Sequence, residues 1–240
     1  MGKLKNIGSA ISRYQASKGF GVHSPFAFSF ITNVLDERYG YYCYERLQQL
    51  RLQVTERTRK EQGYKPHVIT ISEAAAMFRV ANHYNPPLFL SIGGSYGVAA
   101  ASLLSVSSQS RMVLYDPMAN DNAAAKEILS SYGDRITRAD SLQEAIGTYS
   151  ERLGDNGLHF IAINNITDND ASTIAALMAD AATWQGVVII RNIDTSGITA
   201  KLWQQLKYCM TYGMTFTNGK MAVVILNPKL PRQDFEIWLS

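Results

Sequence analysis

Pro87-Leu88-Phe89-Leu90-Ser91-Ile92-Gly93-Gly94-Ser95-Tyr96-Gly97, followed by Val98-Ala99-Ala100-Ala101-Ser102-Leu103-Leu104, decides how this chain is read. An apolar run, a glycine-rich bend and an alanine-rich helical stretch follow one another without a break. A buried strand, a tight turn and a helix in that order build a ligand site at the carboxyl edge of a parallel sheet. Gly93 and Gly97 let the backbone approach a ligand where a side chain would block it.

Downstream of this segment strands and helices alternate. Strands are expected at Met112–Tyr115, Ile136–Asp140, Leu158–Ile163 and Gly186–Ile190. The intervening helices are expected at Val98–Val106, Ala123–Tyr132, Leu142–Leu153, Ala171–Ala182 and Ile198–Thr211. Parallel neighbours need crossover connections, so the alternation predicts a parallel sheet with helices on both faces. The end of the chain differs: Met214–Thr217, Asn218-Gly219 and Lys220–Leu226 read as an antiparallel hairpin. Asn-Gly favours a two-residue turn in which both central residues take positive φ. The expected fold is therefore α/β, Rossmann-like and doubly wound, with a mostly parallel seven-stranded sheet closed by that hairpin.

Upstream, the pattern is helical. Ser24 caps a helix with Pro25 at its first position, where the missing N–H costs nothing, and Phe26, Phe30 and Val34 share a face. Leu47, Leu50 and Val54 mark a second helix over 44–60, broken by Gly63 to Pro66. Thr70-Ile71-Ser72-Glu73 fits a capping box ahead of a helix over Ala74–Tyr84. The chain divides on this reading into a helical N-terminal extension, 1–66, and a Rossmann-like domain, 67–240.

The bulk numbers bound the function classes. At 240 residues, 46% apolar and 18% charged, the chain suits a globular domain with a full core. It contains no apolar run near the ~18 residues of a membrane helix, and the basic start Met1–Asn6 is not followed by a secretory apolar segment. The cytoplasm is the expected location. Cys43 and Cys209 are too few and too far apart for a disulfide framework or a metal site. Charge is uneven: residues 1–65 hold 11 Lys and Arg against 5 Asp and Glu, whereas 66–240 hold 12 against 15. A basic arm of this kind can contact nucleic acid; among interleaved acids such as Glu45, Glu56 and Glu61 it reads more simply as a solvated helix face.

These features together resemble the class I S-adenosylmethionine-dependent methyltransferases. Gly21-Val22-His23-Ser24-Pro25-Phe26 and the tyrosine-rich Tyr39-Gly40-Tyr41-Tyr42 resemble the extension of one bacterial branch of that family. The family motif acid-x-Gly-x-x-x-Gly is matched by Gly93 and Gly97, with Ser91 in place of the acid and Gly94 within the turn. Asp116, at the end of the second strand and 19 residues after Gly97, matches the acid that grips the ribose hydroxyls. Asp140 corresponds to the residue beside the adenine amino group, and Asn164 to a position near the transferable methyl. The resemblance thus implies S-adenosylmethionine as cofactor, bound by Ser91, Gly93, Gly94, Gly97, Asp116, Asp140 and Asn164. It also implies methyl transfer to a small-molecule acceptor.

Two departures bear on the chemistry. The branch carries acids after its fourth and fifth strands, where this chain has Asn164-Asn165 and Arg191-Asn192. Two amides do not supply the charge that holds a hard divalent cation, so metal-independent transfer is expected, with no catalytic residue assigned. The same losses support an alternative, a degenerate fold kept as a binding or interaction module. Methylation of RNA guided by the basic arm is a weaker alternative, and a second copy of the chain is a further candidate partner. Gly93-Gly94-Ser95-Tyr96-Gly97 also satisfies the Gly-x-Ser-x-Gly elbow of hydrolases. That reading lacks a downstream histidine at the carboxyl edge, because His159 opens a strand.

Overall fold

The computed structural model describes residues 12–117, 122–154, 157–181, 184–194 and 197–238. A helical turn over 12–17 precedes α1 (Pro25–Phe30), which runs on as a π-helical turn, Ile31–Leu35. Ser24 Oγ accepts the Ala27 N–H and Pro25 opens the helix, as the cap pattern requires. α2 (Tyr42–Gln62) ends on Gly63 in the left-handed region. α3 (Ile71–Tyr84) begins with the full capping box: Thr70 Oγ1 accepts the Glu73 N–H while the Glu73 carboxylate accepts the Thr70 N–H.

The alternating part follows as β1 (Leu88–Ile92), α4 (Val98–Leu104), β2 (Arg111–Tyr115), α5 (Ala123–Ser130), β3 (Ile136–Arg138), α6 (Leu142–Leu153), β4 (His159–Ile163), α7 (Ala171–Ala181), β5 (Gly186–Arg191) and α8 (Gly197–Cys209). The expected end of α7, Ala182, lies outside the described residues. β6 (Met214–Thr217) and β7 (Met221–Leu226) form the hairpin, and β8 (Gln233–Glu236) ends the sheet.

The strand order is β3-β2-β1-β4-β5-β7-β6-β8. The first five strands pair in parallel, and β7 runs antiparallel to both β5 and β6. The sheet thus has eight strands rather than the expected seven. β8 pairs in parallel with β6 at the edge; its sequence, Gln-Asp-Phe-Glu, has one apolar residue and so no alternation to announce it. The hairpin turn is also shifted by one residue. Gly219 has φ +89° and Asn218 does not have positive φ, so Gly219-Lys220 is the central pair. Asn218 flanks the turn, its Oδ1 accepting the N–H groups of Lys220 and Met221.

Successive strand residues feed opposite layers. Phe89, Met112, Leu114 and Phe160 enter a core with α1 to α5, while Leu90, Val113 and Ile161 enter one with α6 to α8. Phe30, Leu35, Leu47 and Val54 of the N-terminal helices belong to the first of these cores. Alanines let α3 and α4 approach closely, and Ser102 Oγ donates to the Ala74 carbonyl at 2.6 Å. The chain leaves β1 toward β2 and β3, then returns to β4 on the other side of β1. That reversal at the β1 exit is where an open α/β sheet forms a crevice.

Candidate cofactor site at the carboxyl edge

The bend after β1 gathers four positive-φ residues within five positions. Gly93 and Gly97 have φ +77° and +85°, and Ser95 and Tyr96 also lie at positive φ, +46° and +58°. A Cβ on Gly93 would come within 2.8 Å of the Asn165 amide nitrogen, and one on Gly94 within 2.6 Å of Asp116 Oδ2. Glycine is required here by close approach of neighbouring backbone and carboxylate as well as by dihedral angle.

Asp116 is placed against this bend. The Gly94 N–H donates to Asp116 Oδ2 at 2.7 Å, and the Gly93 N–H donates to the Tyr115 carbonyl, also at 2.7 Å. The carboxylate therefore ties the β2 exit to the glycine turn. Asp116 and Asp140 both line a hollow of about 140 Å³ between the ends of β2 and β3, together with Leu114, Leu129 and Arg138. Asp140 is exposed, and its N–H donates to Glu144.

Ser91, expected where the family acid stands, is buried and donates to the Gly93 carbonyl at 3.1 Å. It stiffens the bend. Asn164, buried at the β4 exit, donates from Nδ2 to the same Gly93 carbonyl at 2.7 Å. Its Oδ1 has no hydrogen-bond partner among the described residues. Asn192 donates in turn to the Asn164 carbonyl at 2.8 Å. Gly93, Gly94, Gly97, Ser91, Asp116 and Asn164 are thus brought into one hydrogen-bonded edge, with Asp140 across the hollow.

Two residues not assigned to the site complete its rear wall. Arg191, 1% exposed at the end of β5, pairs with Glu73 at 3.2 Å, and its Nη1 lies 3.5 Å from Ser95 Oγ. Burial alone would raise the Glu73 carboxyl; the charge of Arg191 and hydrogen bonds from Thr70 reverse this and hold it below its ordinary value. Burial draws the Arg191 guanidinium down, opposed by Glu73. Ser95 Oγ also accepts the Ile69 N–H at 2.9 Å. Its hydroxyl faces a backbone amide and a guanidinium rather than an imidazole, and His159 opens β4 at the opposite edge, so the hydrolase elbow is a coincidence of spacing. Among the described residues no three His, Cys, Asp or Glu side chains come together as a metal-binding group.

The N-terminal helices lie mainly on the flank. Arg57 of α2 pairs with Glu127 of α5 at 2.5 Å, and Asn122 donates to Thr58 at 2.7 Å. The segment after α2 reaches the site through Tyr64, which is hydrogen-bonded to Tyr96 of the glycine turn. Of the tyrosine cluster, Tyr41 and Tyr44 pack on Phe78, whereas Tyr39 and Tyr42 are exposed. His23 is exposed.

A scan of protein-family models finds none that matches the chain, and no curated protein matches it. Solved structures do. The S-adenosylhomocysteine-bound methyltransferase PaMTH1 of Podospora anserina aligns with a TM-score of 0.56 at 14% identity, over 85% of this chain and 97% of its own. A methyltransferase from Geobacter sulfurreducens aligns at 0.51 and 16%, over 83% and 97%. The O-methyltransferase TomG of Streptomyces achromogenes, solved with S-adenosylmethionine, aligns at 0.50 and 11%, over 91% and 98%. Identities this low speak to architecture, and with the strand order and the glycine turn they establish that the chain has the fold of the class I S-adenosylmethionine-dependent methyltransferases.

Proposed function

We propose that the chain binds S-adenosylmethionine at the carboxyl edge and transfers its methyl group to a small molecule without a metal ion. The observation that carries this reading is the Gly94–Asp116 hydrogen bond, which fastens a carboxylate lining the 140 Å³ hollow to the glycine turn beside it. The residues present suit the nucleoside end of the cofactor. A small hollow with apolar walls from Leu114 and Leu129 accepts a planar base, and Asp116 and Asp140 offer acceptors for hydroxyl or amino groups. Asn164 Oδ1 offers a further acceptor beside the turn.

When bound, S-adenosylmethionine supplies a sulfonium-held methyl group open to in-line displacement. The chain's contribution is placement, which accounts for much of the acceleration in such a displacement. Ser91 and Asn164 pin the Gly93 carbonyl from two strands, and Asp116 pins the Gly94 N–H from a third. The metal-independent reading is supported by the Arg191 guanidinium and the Asn164 and Asn192 amides at the ends of β4 and β5. Solved O-methyltransferases with this fold, such as TomG, favour an oxygen acceptor.

Calorimetry with S-adenosylmethionine and S-adenosylhomocysteine tests the reading: saturable binding supports it, and no heat at millimolar ligand overturns it. A second reading, a non-catalytic binding module, is supported by Ser91, Asn164 and Asn192 standing at the strand ends where the resembled family carries acids. A methylated product from any acceptor panel would remove it.

A further inference from the structure

Tyr115 ends β2, and its hydroxyl donates to Asp170 Oδ2 at 3.0 Å. The same oxygen accepts the Thr167 hydroxyl at 2.5 Å. Asp170 lies in the connection between β4 and α7, and β1 lies between β2 and β4 in the sheet. A bond from the β2 exit to the β4 connection therefore spans the β1 exit, where the glycine turn sits.

The consequence is visible in the hollows. On one side of Tyr115, Asp116 and Pro117 is the 140 Å³ hollow reaching Asp140; on the other is a chamber of only about 20 Å³, lined by Gly93, Asn165, Ile166, Thr167 and Asp170. Pockets for ligands of cofactor size run to roughly 300 Å³ or more. The open 140 Å³ hollow admits a purine base with its ribose at the mouth, whereas the 20 Å³ chamber at the glycine turn admits no amino-acid end. Burial, then the hydrogen bond and charge of Asp170, push the Tyr115 phenol up.

We infer that Tyr115 and Asp170 form a latch across the site that makes ligand entry ordered. The nucleoside end seats first beside Asp140, and the amino-acid end enters only after the Tyr115 hydroxyl leaves Asp170. This rests on the cofactor reading above and adds to it which residues decide what portion of an adenosyl ligand the closed site admits. The opening cost lowers the apparent affinity for the whole ligand by the fraction of molecules that are open, and leaves affinity for the nucleoside alone unchanged.

The test compares adenosine with S-adenosylhomocysteine on the wild type, Tyr115→Phe and Asp170→Ala, by calorimetry and by association kinetics, with melting curves to verify folding. Breaking the latch tightens S-adenosylhomocysteine binding about tenfold in both variants, the loss of one charge-assisted hydrogen bond, while adenosine affinity moves by less than about twofold. In the wild type the observed association rate for S-adenosylhomocysteine levels off with concentration, and in Asp170→Ala it rises linearly. Equal or weaker S-adenosylhomocysteine binding in both folded variants overturns the latch and leaves the cofactor reading standing. No binding of either ligand to any of the three proteins overturns both.

Discussion

The Arg191 guanidinium at the end of β5 and the Glu73 carboxylate at the start of α3 lie 3.2 Å apart, both buried, though the residues are 118 positions apart in sequence. The pair joins the helix before β1 to the strand two places beyond it, immediately behind the glycine turn. Removing one member strands the other as an unpaired buried charge, which costs roughly 3–5 kcal/mol. Arg191→Met is expected to lose about that much stability in urea unfolding at pH 7, and Glu73→Gln somewhat less.

The same pair has a pH signature. The folded-state carboxyl of Glu73 lies below its ordinary value of 4.5. Its stabilising contribution is therefore complete above pH 4.5 and is lost as pH falls further toward the folded value. Between pH 5 and pH 3 the stability of the wild type should fall more steeply than that of Glu73→Gln, a difference that thermal melts across this range will measure.

His159 gives a second window. Stacked 4.2 Å from Trp184, it is held below its ordinary value of 6.5 by burial. Stability that depends on its neutral form is present above pH 6.5 and is lost as pH falls through the folded value. His159→Phe keeps the stacking and should flatten the loss of stability between pH 7 and pH 5. His83, shifted the same way, remains in both proteins and cancels in the comparison.

Two glycines should respond in opposite directions. Gly93→Ala forces a Cβ against the Asn165 amide at φ +77° and is expected to cost about 1–3 kcal/mol and to abolish ligand heat in calorimetry. Gly147, exposed inside α6 with nothing near its missing Cβ, should give about 0.5–1 kcal/mol of added stability as Gly147→Ala.

Asn122 does two jobs from one side chain: Oδ1 caps α5 by accepting the Ala125 N–H, and Nδ2 donates to Thr58. Asn122→Ala removes a helix cap and leaves a buried hydroxyl without its donor. A loss of about 2 kcal/mol in chemical unfolding is expected.

What could be read from the sequence is what local chemistry determines. The capping box at Thr70–Glu73 and the Ser24-Pro25 helix start are complete within four residues, and both stand as read. The strand–turn–helix at Leu88–Leu104 and the alternation of apolar strands with helices after it gave the architecture. β8 was illegible because an edge strand with one apolar residue leaves no periodic trace. The hairpin turn was one residue off because Asn218 uses its side chain as an acceptor outside the turn, a role that composition does not distinguish from a central one.

The geometry of the bend was legible where the backbone itself makes it, at the positive-φ Gly93 and Gly97, with Asp116 beside them at the β2 terminus. Its side-chain wiring was not. The sequence places Ser91 where the family acid stands but says nothing of the bond its hydroxyl donates to the Gly93 carbonyl. Glu73 was read only as a cap, and its second partner, Arg191, belongs to a strand far along the chain. Tyr115 and Asp170 are 55 residues apart, and only the strand order brings them across the β1 exit. Partnerships of this kind depend on which strands become neighbours, and no local pattern encodes them.

The buried guanidinium of Arg79 sends its Nε and Nη2 groups to the carbonyls of Val34 and Leu35, where the first helix loosens into its π turn. One cation thus holds open the unfinished end of a helix contributed by the first forty residues. A polypeptide begun at residue 67 would lose both oxygens and bare to water the apolar face that Phe30, Leu35, Leu47 and Val54 now cover.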